Sequence, residues 1–261
     1  MRDDPDHLTP DLLLMAYTSG VFPMSEGRND PEIFWVDPRQ RGIIPLGGFH
    51  ISRSLGRKIR QEPFRITFDA DFTGVVDGCA DRPETWINAP IRDLYLALHK
   101  RGVAHSVEVW EGDQLVGGIY GVALAGAFFG ESMFSRRTDA SKIAFVTLCR
   151  HLEKWGFGLI DSQVTNEHTA RFGTVEQRGR GALGRAGSGV GRDAVRAERA
   201  AGLHGVAALA TGRRDFARGV DADGEAVAGH AARAGRAHGV PCRVSVALHL
   251  AEVGVERVVA A

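Results

Sequence analysis

The chain has 261 residues, 44% of them apolar, and 32 Lys/Arg balance 32 Asp/Glu, so it can bury a core in one large domain or two small ones. No apolar run reaches the roughly eighteen residues of a membrane-spanning helix, and Asp3, Asp4 and Asp6 stand where a secretory signal needs positive charge, so a cytoplasmic protein is expected. Cys79, Cys149 and Cys242 lie far apart and outside any CxxC or Cys/His cluster, which argues against a disulfide framework or a zinc site and for buried thiols.

Thr9 followed by Pro10 starts a helix, because the hydroxyl can cap it and proline suits the first turn; Leu12, Leu13 and Ala16 follow at helical spacing up to Gly20. From Val21 to Gly48 the chain is rich in Pro and Gly and reads as loops and short strands packed by Phe22, Phe34 and Trp35. Ser52 opens a basic helix with Arg53, Arg57, Lys58 and Arg60. Phe64, Ile66 and Phe68 alternate with polar residues as in a half-buried strand, and a helix through Val75 and Val76 follows.

Asn88 and Pro90 begin a helix with Ile91, Leu94, Tyr95 and Leu98 on one face and Gly102 at its end, and that stripe is expected to lie on a sheet. Val107 and Val109 belong to one arm of a hairpin, Gly112 and Asp113 to its turn, and Leu115 to Leu124 to the other arm. A third strand runs from Ala127 to Phe134. Asp139 is expected to cap a helix bearing Ile143, Val146, Leu148, Leu152 and Trp155, after which Leu159 to Val164 reads as a buried strand.

Beyond about Gln177 the composition changes abruptly. Lys, Ile, Asn, Tyr, Trp and Met disappear, Phe occurs once as Phe216, and Ala, Gly, Arg and Val dominate. So few large side chains cannot offset the entropy of ordering so many glycines, so residues 177–261 are expected to form a poorly structured tail. A native low-complexity tail and a gene read out of frame both account for it, and the abruptness favours the second. Charge follows the same division. Residues 1–173 hold 19 Lys/Arg against 23 Asp/Glu, and the remainder 13 against 9. An acidic body excludes indiscriminate nucleic-acid binding, which relies on neutralising many phosphates, so any RNA contact must be a local patch.

The element order resembles the N-acetyltransferase-like fold, whose mixed sheet splays to admit an ester or thioester donor. Seven strings are similar, in order and spacing, to the leucyl/phenylalanyl-tRNA-protein transferase family: HISRS (His50 to Ser54), TWI (Thr85 to Ile87), AHSVEVW (Ala104 to Trp110), LVGGIYG (Leu115 to Gly121), GESMFS (Gly130 to Ser135), ASK (Ala140 to Lys142) and LIDSQ (Leu159 to Gln163). The resemblance runs from about Thr9 to Glu176. It implies an α+β protein: a small N-terminal α/β domain (1–63), an N-acetyltransferase-like mixed-sheet domain (64–176) and the tail.

The implied reaction moves Leu, Phe or a similarly shaped Met from aminoacyl-tRNA to acceptor proteins beginning with Arg or Lys, a mark for degradation through the N-degron pathway. No metal, nucleotide or other cofactor is implied, and no membrane. A related transferase acting on a small or cell-wall acceptor, and a non-catalytic RNA-binding module, are the rival readings. The resemblance also implies a final motif and helix after Glu176 that this sequence lacks.

Read from the residues alone, Asp161 is a carboxylate at the end of a buried strand, costly without a partner and most simply a cap for the following turn. The resemblance makes it the first catalytic candidate, holding the incoming ammonium and easing its deprotonation. Gln163 has the same strand parity and is expected on the same face as Asp161. Glu131, after Gly130, is assigned to substrate positioning in a strand that something can approach closely.

An apolar pocket for the donor side chain is implied at Ile119, Phe128 and Met133, where methionine suits a site that takes two shapes. Trp35 and Trp86 match aromatics that contact the donor or the terminal adenosine. Ile119, where some relatives have Met, and the single tryptophan of WVDPR are departures that leave the order of donor preference open. Arg53, Arg57 and Arg60 share one helix face, with Lys58 beside it, and fit the phosphates of a tRNA acceptor stem; a solvated helix face is the plainer alternative.

Overall fold

The computed structural model of the chain describes residues 8–178 and 255–258. Helix α1 (Pro10–Ser19) begins at Thr9, whose side chain accepts from the Leu12 N–H, and ends at Gly20 with φ 83°. Strands β1 (Phe22–Met24), β2 (Phe34–Pro38) and β3 (Gln40–Pro45) follow. Ser52 caps α2 (Arg53–Arg60), as its hydroxyl and position require. Then come β4 (Arg65–Phe68), α3 (Phe72–Ala80) and α4 (Ala89–Lys100), the last capped by Asn88.

The hairpin is β5 (Ala104–Glu111) and β6 (Gln114–Leu124), turned by Gly112 at φ 59°. Next are β7 (Ala127–Ser135), α5 (Ala140–Lys154) and β8 (Leu159–Asp161). A short α6 (Glu167–Ala170) and β9 (Val175–Arg178), which sequence periodicity does not announce, complete this part.

Seven strands form one mixed sheet in the order β4-β5-β6-β7-β8-β3-β9, antiparallel except for the parallel pair β7/β8. The fold is α+β, as expected. β3, from the N-terminal part, runs between β8 and β9, so that part is built into the main sheet. A second sheet has the order β1-β2-β10, where β10 is Val255–Val258. Of the expected tail from 177 onward, Gln177 and Arg178 close β9 and these four residues form β10, and the rest, 179–254 and 259–261, lies outside the described residues.

Alternation along the strands feeds two cores. On one face Val122, Phe129 and Leu159 pack with Leu13, Tyr17, Val76, Tyr95 and Leu98 of α1, α3 and α4, so the stripe of α4 is buried as expected. On the other face Val107, Ile119, Phe128 and Ile160 pack with Phe145, Leu148 and Leu152 of α5 and Leu55 of α2. Cys79 and Cys149 are free and buried, one in each core, and burial pushes the Cys79 thiol up to about 12; Cys242 lies outside the described residues.

Two local expectations are corrected. Asp139 sits at the start of α5 but with φ 69° and no side-chain cap; its carboxylate turns instead to Lys142 Nζ at 2.7 Å and Lys58 Nζ at 3.4 Å. Strand β8 stops at Asp161 instead of continuing to Val164, because Gln163 takes up a left-handed conformation, φ 57°.

Candidate active site

The parallel ladder of β7 and β8 matches Ala127 with Leu159, Phe128 with Ile160 and Phe129 with Asp161. Beyond Phe129, β7 runs on to Ser135 while β8 has ended, so the sheet parts there. A Cβ added to Gly130 would come only to 3.5 Å from Ile160 Cγ2 and 3.8 Å from the Asp161 carbonyl, so no described atom crowds this position. Opposite, β6 and β7 slip register: Gly121 faces Gly130 and Tyr120 faces Ser132, which leaves Glu131 as the extra residue of a bulge. Alternation puts Glu131 on the side of Phe129, the α1/α4 face, and the bulge reverses the alternation beyond it, so that Met133 falls on the other face and Phe134 on this one.

Asp161 is fully buried and its partner is Arg41, itself 2% exposed. Arg41 Nε donates to Oδ2 at 2.8 Å and Nη2 to Oδ1 at 3.2 Å, and the Gln163 backbone N–H donates to Oδ1 at 2.8 Å. The carboxylate thus holds the following turn, as the sequence alone suggested, and also forms a buried ion pair that excludes the cost of an isolated charge. The third arm of the guanidinium donates to the Gly20 carbonyl, and the ring of Phe22 lies 5.7 Å away.

Gln163 therefore does not share strand parity with Asp161, yet the tight turn still brings the two together. Its side-chain Nε2 donates to Glu131 Oε1 at 3.1 Å. The other oxygen of Glu131 accepts from the Tyr95 hydroxyl at 2.7 Å, and Tyr95 meets the Tyr17 hydroxyl at 2.7 Å. Glu131 keeps partial exposure while both tyrosines are fully buried.

Burial pushes the Glu131 carboxyl up to about 7; the bonds from Tyr95 and Tyr17 and the Arg41 charge oppose that rise, and the Asp161 charge adds to it. Burial, and then the Glu131 charge, raises both tyrosines well above their ordinary range, so they remain protonated donors. A carboxyl titrating near neutrality beside a fixed amide can exchange a proton with an amine.

The structure brings Asp161, Gln163 and Glu131 together, and places beside them Arg41, Tyr17 and Tyr95, which the sequence reading missed. A signal existed for one of them: Arg41 precedes Gly42-Ile43-Ile44 in a short strand, where a buried cation demands a carboxylate. The apolar candidates are divided. Trp35 and Trp86 are half-buried against the core of the carboxylate side, whereas Ile119, Phe128 and Met133 belong to the core across the sheet.

On α2, Arg53, Arg57 and Arg60 are exposed, and Lys58 is drawn to Asp139 and to the Thr138 carbonyl at 3.1 Å. Among the described residues no three His, Cys, Asp or Glu side chains gather as a metal site requires, and no helix is long and apolar enough to cross a membrane.

Comparison with known proteins agrees with the strings in the sequence. The sequence model of the leucyl/phenylalanyl-tRNA-protein transferase family matches residues 43–181, and that of its N-terminal domain residues 6–39. The leucyl/phenylalanyl-tRNA-protein transferase of Ruegeria pomeroyi is 59% identical over 169 residues, which cover 65% of this chain and 80% of that one. The protein of the same name in Roseobacter denitrificans is 61% identical over the same extent. Among solved structures, that of L-PGS from Bacillus licheniformis superposes with a TM-score of 0.40 at 12% identity, over 65% of this chain and 63% of that one, too slight a likeness to carry an argument. The family match ends close to where the composition changes.

Proposed function

Since the chain belongs to the leucyl/phenylalanyl-tRNA-protein transferase family, and so to the aminoacyltransferases that move an amino acid from tRNA to a protein, we propose that its acceptors are cytoplasmic proteins with N-terminal Arg or Lys and that the transferred Leu or Phe, with Met as a further donor, marks them for degradation. The observation that carries this reading is the Glu131 carboxyl, partly exposed where β7 and β8 part, tuned to about 7 and bridged to Asp161 through Gln163.

The donor ester is already activated. The acceptor nitrogen attacks the ester carbonyl carbon, a C–N bond forms, the bond from that carbon to the ribose oxygen breaks, and one proton passes from nitrogen to that oxygen. A free α-ammonium has a pKa of roughly 8, so a share of the acceptor has already lost its extra proton to solvent near pH 7 and attacks as the neutral amine. A carboxyl titrating in that range can take up the next proton as the C–N bond forms. Glu131 takes the proton from the nitrogen and returns it to the departing ribose oxygen. Asp161, held by Arg41, fixes the Gln163 turn so that the amide braces Glu131 and offers its oxygen to the amine. Arg41 balances Asp161, so Glu131, when ionised, leaves a net negative charge at this point that favours a cationic chain end over a neutral one.

In the same reading Ile119, Phe128 and Met133 form the apolar wall for the donor side chain, Trp35 and Trp86 stack on the donor or the terminal adenosine, and Arg53, Arg57 and Arg60 meet acceptor-stem phosphates with Lys58 at the margin. Residues 1–63 and 64–176 are taken as the two functional parts.

Labelled Leu on tRNA, offered peptides beginning with Arg, Lys or Ala and a small amine acceptor, tests the acceptor assignment. Transfer to the Arg and Lys peptides at least tenfold faster than to the others is expected. Equal use of the Ala peptide, or preference for the small amine, contradicts it.

A further inference from the structure

Both carboxylates of the site are held from one short stretch of chain, the last turn of α1 and its cap. Tyr17 lies in that turn and is fully buried, with its ring 5.0 Å from that of Phe129. Each tyrosine has one O–H to give. The two phenols meet at 2.7 Å, Tyr95 lies 2.7 Å from Glu131, and both tyrosines support the carboxylate, so the three groups form one hydrogen-bonded set in which each O–H has an acceptor. The set holds one acceptor that cannot donate when ionised, Glu131, and it favours the ionised carboxylate. Three residues on, the Gly20 N–H bonds the Tyr17 carbonyl, and the Gly20 carbonyl takes the Arg41 guanidinium whose other edge holds Asp161.

We propose that the last turn of α1 and its cap are part of the catalytic apparatus: Tyr17, together with Tyr95, and Gly20, acting through Arg41, are positioning elements for Glu131 and Asp161 respectively. This rests on the assignment of those two carboxylates to the reaction. If the phenols served only as core filling, phenylalanine would fill the same space without two buried hydroxyls that need partners. Both hydroxyls instead find partners in the set that holds Glu131. The charged and titratable groups facing Glu131 are Tyr17 of α1, Tyr95 of α4, Tyr120 of β6, Asp161 of β8 and Arg41 of β3, and removal of Tyr17 or Tyr95 weakens the support of the anion.

The test is the pH dependence of transfer from Leu-tRNA to an Arg-peptide for the unaltered chain, Tyr17→Phe, Tyr95→Phe and Glu131→Gln. The rate should rise with pH through Glu131's titration. The midpoint should move upward by about one pH unit in Tyr95→Phe, the size of one lost hydrogen bond to a charge, and by less in Tyr17→Phe. A midpoint is independent of the fraction of protein folded, so partial unfolding of a variant lowers the rate at every pH without moving it. Unmoved midpoints in both tyrosine variants, with Glu131→Gln inactive, overturn this inference alone. An active Glu131→Gln overturns the assignment on which it rests.

Discussion

Neighbouring residues of β7 and β8 point to opposite sides of one sheet, and the two sides are filled with different materials. Toward α1 and α4 lie Glu131 and Asp161, with Arg41, Gln163 and the tyrosines completing a hydrogen-bonded set. Toward α5 lie Phe128 and Ile160 among apolar side chains, three residues from Glu131 and one from Asp161 in sequence. Strand alternation thus separates, within a few residues, the groups able to handle a proton from those able to select an apolar side chain. The lesson is that damage on one side should register in stability or proton chemistry, and damage on the other in donor preference.

The largest expected effect breaks the polar side. Arg41→Met strands a fully buried Asp161 and should destabilise the protein by about 3–5 kcal/mol, read from denaturant melts. The double variant Arg41→Met/Asp161→Leu removes both charges and should recover much of that loss. An Arg41→Met protein as stable as the parent would show that the pair does not hold this side together.

A smaller effect sharpens the apolar side. Met133, half-buried against that core, can be cut to Ala, and discrimination between Phe and Leu donors should change by about 1–3 kcal/mol in kcat/KM ratio while the pH midpoint of transfer stays in place. A moved midpoint with an unchanged ratio would mean that the two sides are not separate.

Much of this was legible in the sequence because it depends on local chemistry. Thr9-Pro10, Ser52 and Asn88 marked helix starts, and Gly112 marked the hairpin turn, since caps and left-handed glycines act on residues close by. Motifs named Asp161, Gln163 and Glu131, and the sequence put Gln163 beside Asp161 for the wrong reason: a left-handed turn, not a common strand face, brings it in. Arg41 pairs with Asp161 over a separation of 120 residues, and Tyr17 reaches Tyr95 over 78, distances that no periodicity can register. The bulge at Glu131 arises from a register slip between two strands, which neither strand's own pattern contains. Asp139 misled because the left-handed backbone it adopts points its carboxylate to Lys58 and Lys142 instead of the helix N–H groups.

The central claim is that the carboxyl at position 131, held at the parting of β7 and β8, changes its protonation near neutrality and so can trade a proton with the acceptor amine. The direct measurement is an infrared carboxyl titration of the full chain, differenced against Glu131→Gln. A carboxyl signal lost and gained with a midpoint of about 7 is the result this account predicts. A Glu131 signal that is already ionised above pH 5, in the range of an ordinary solvated glutamate, would contradict it.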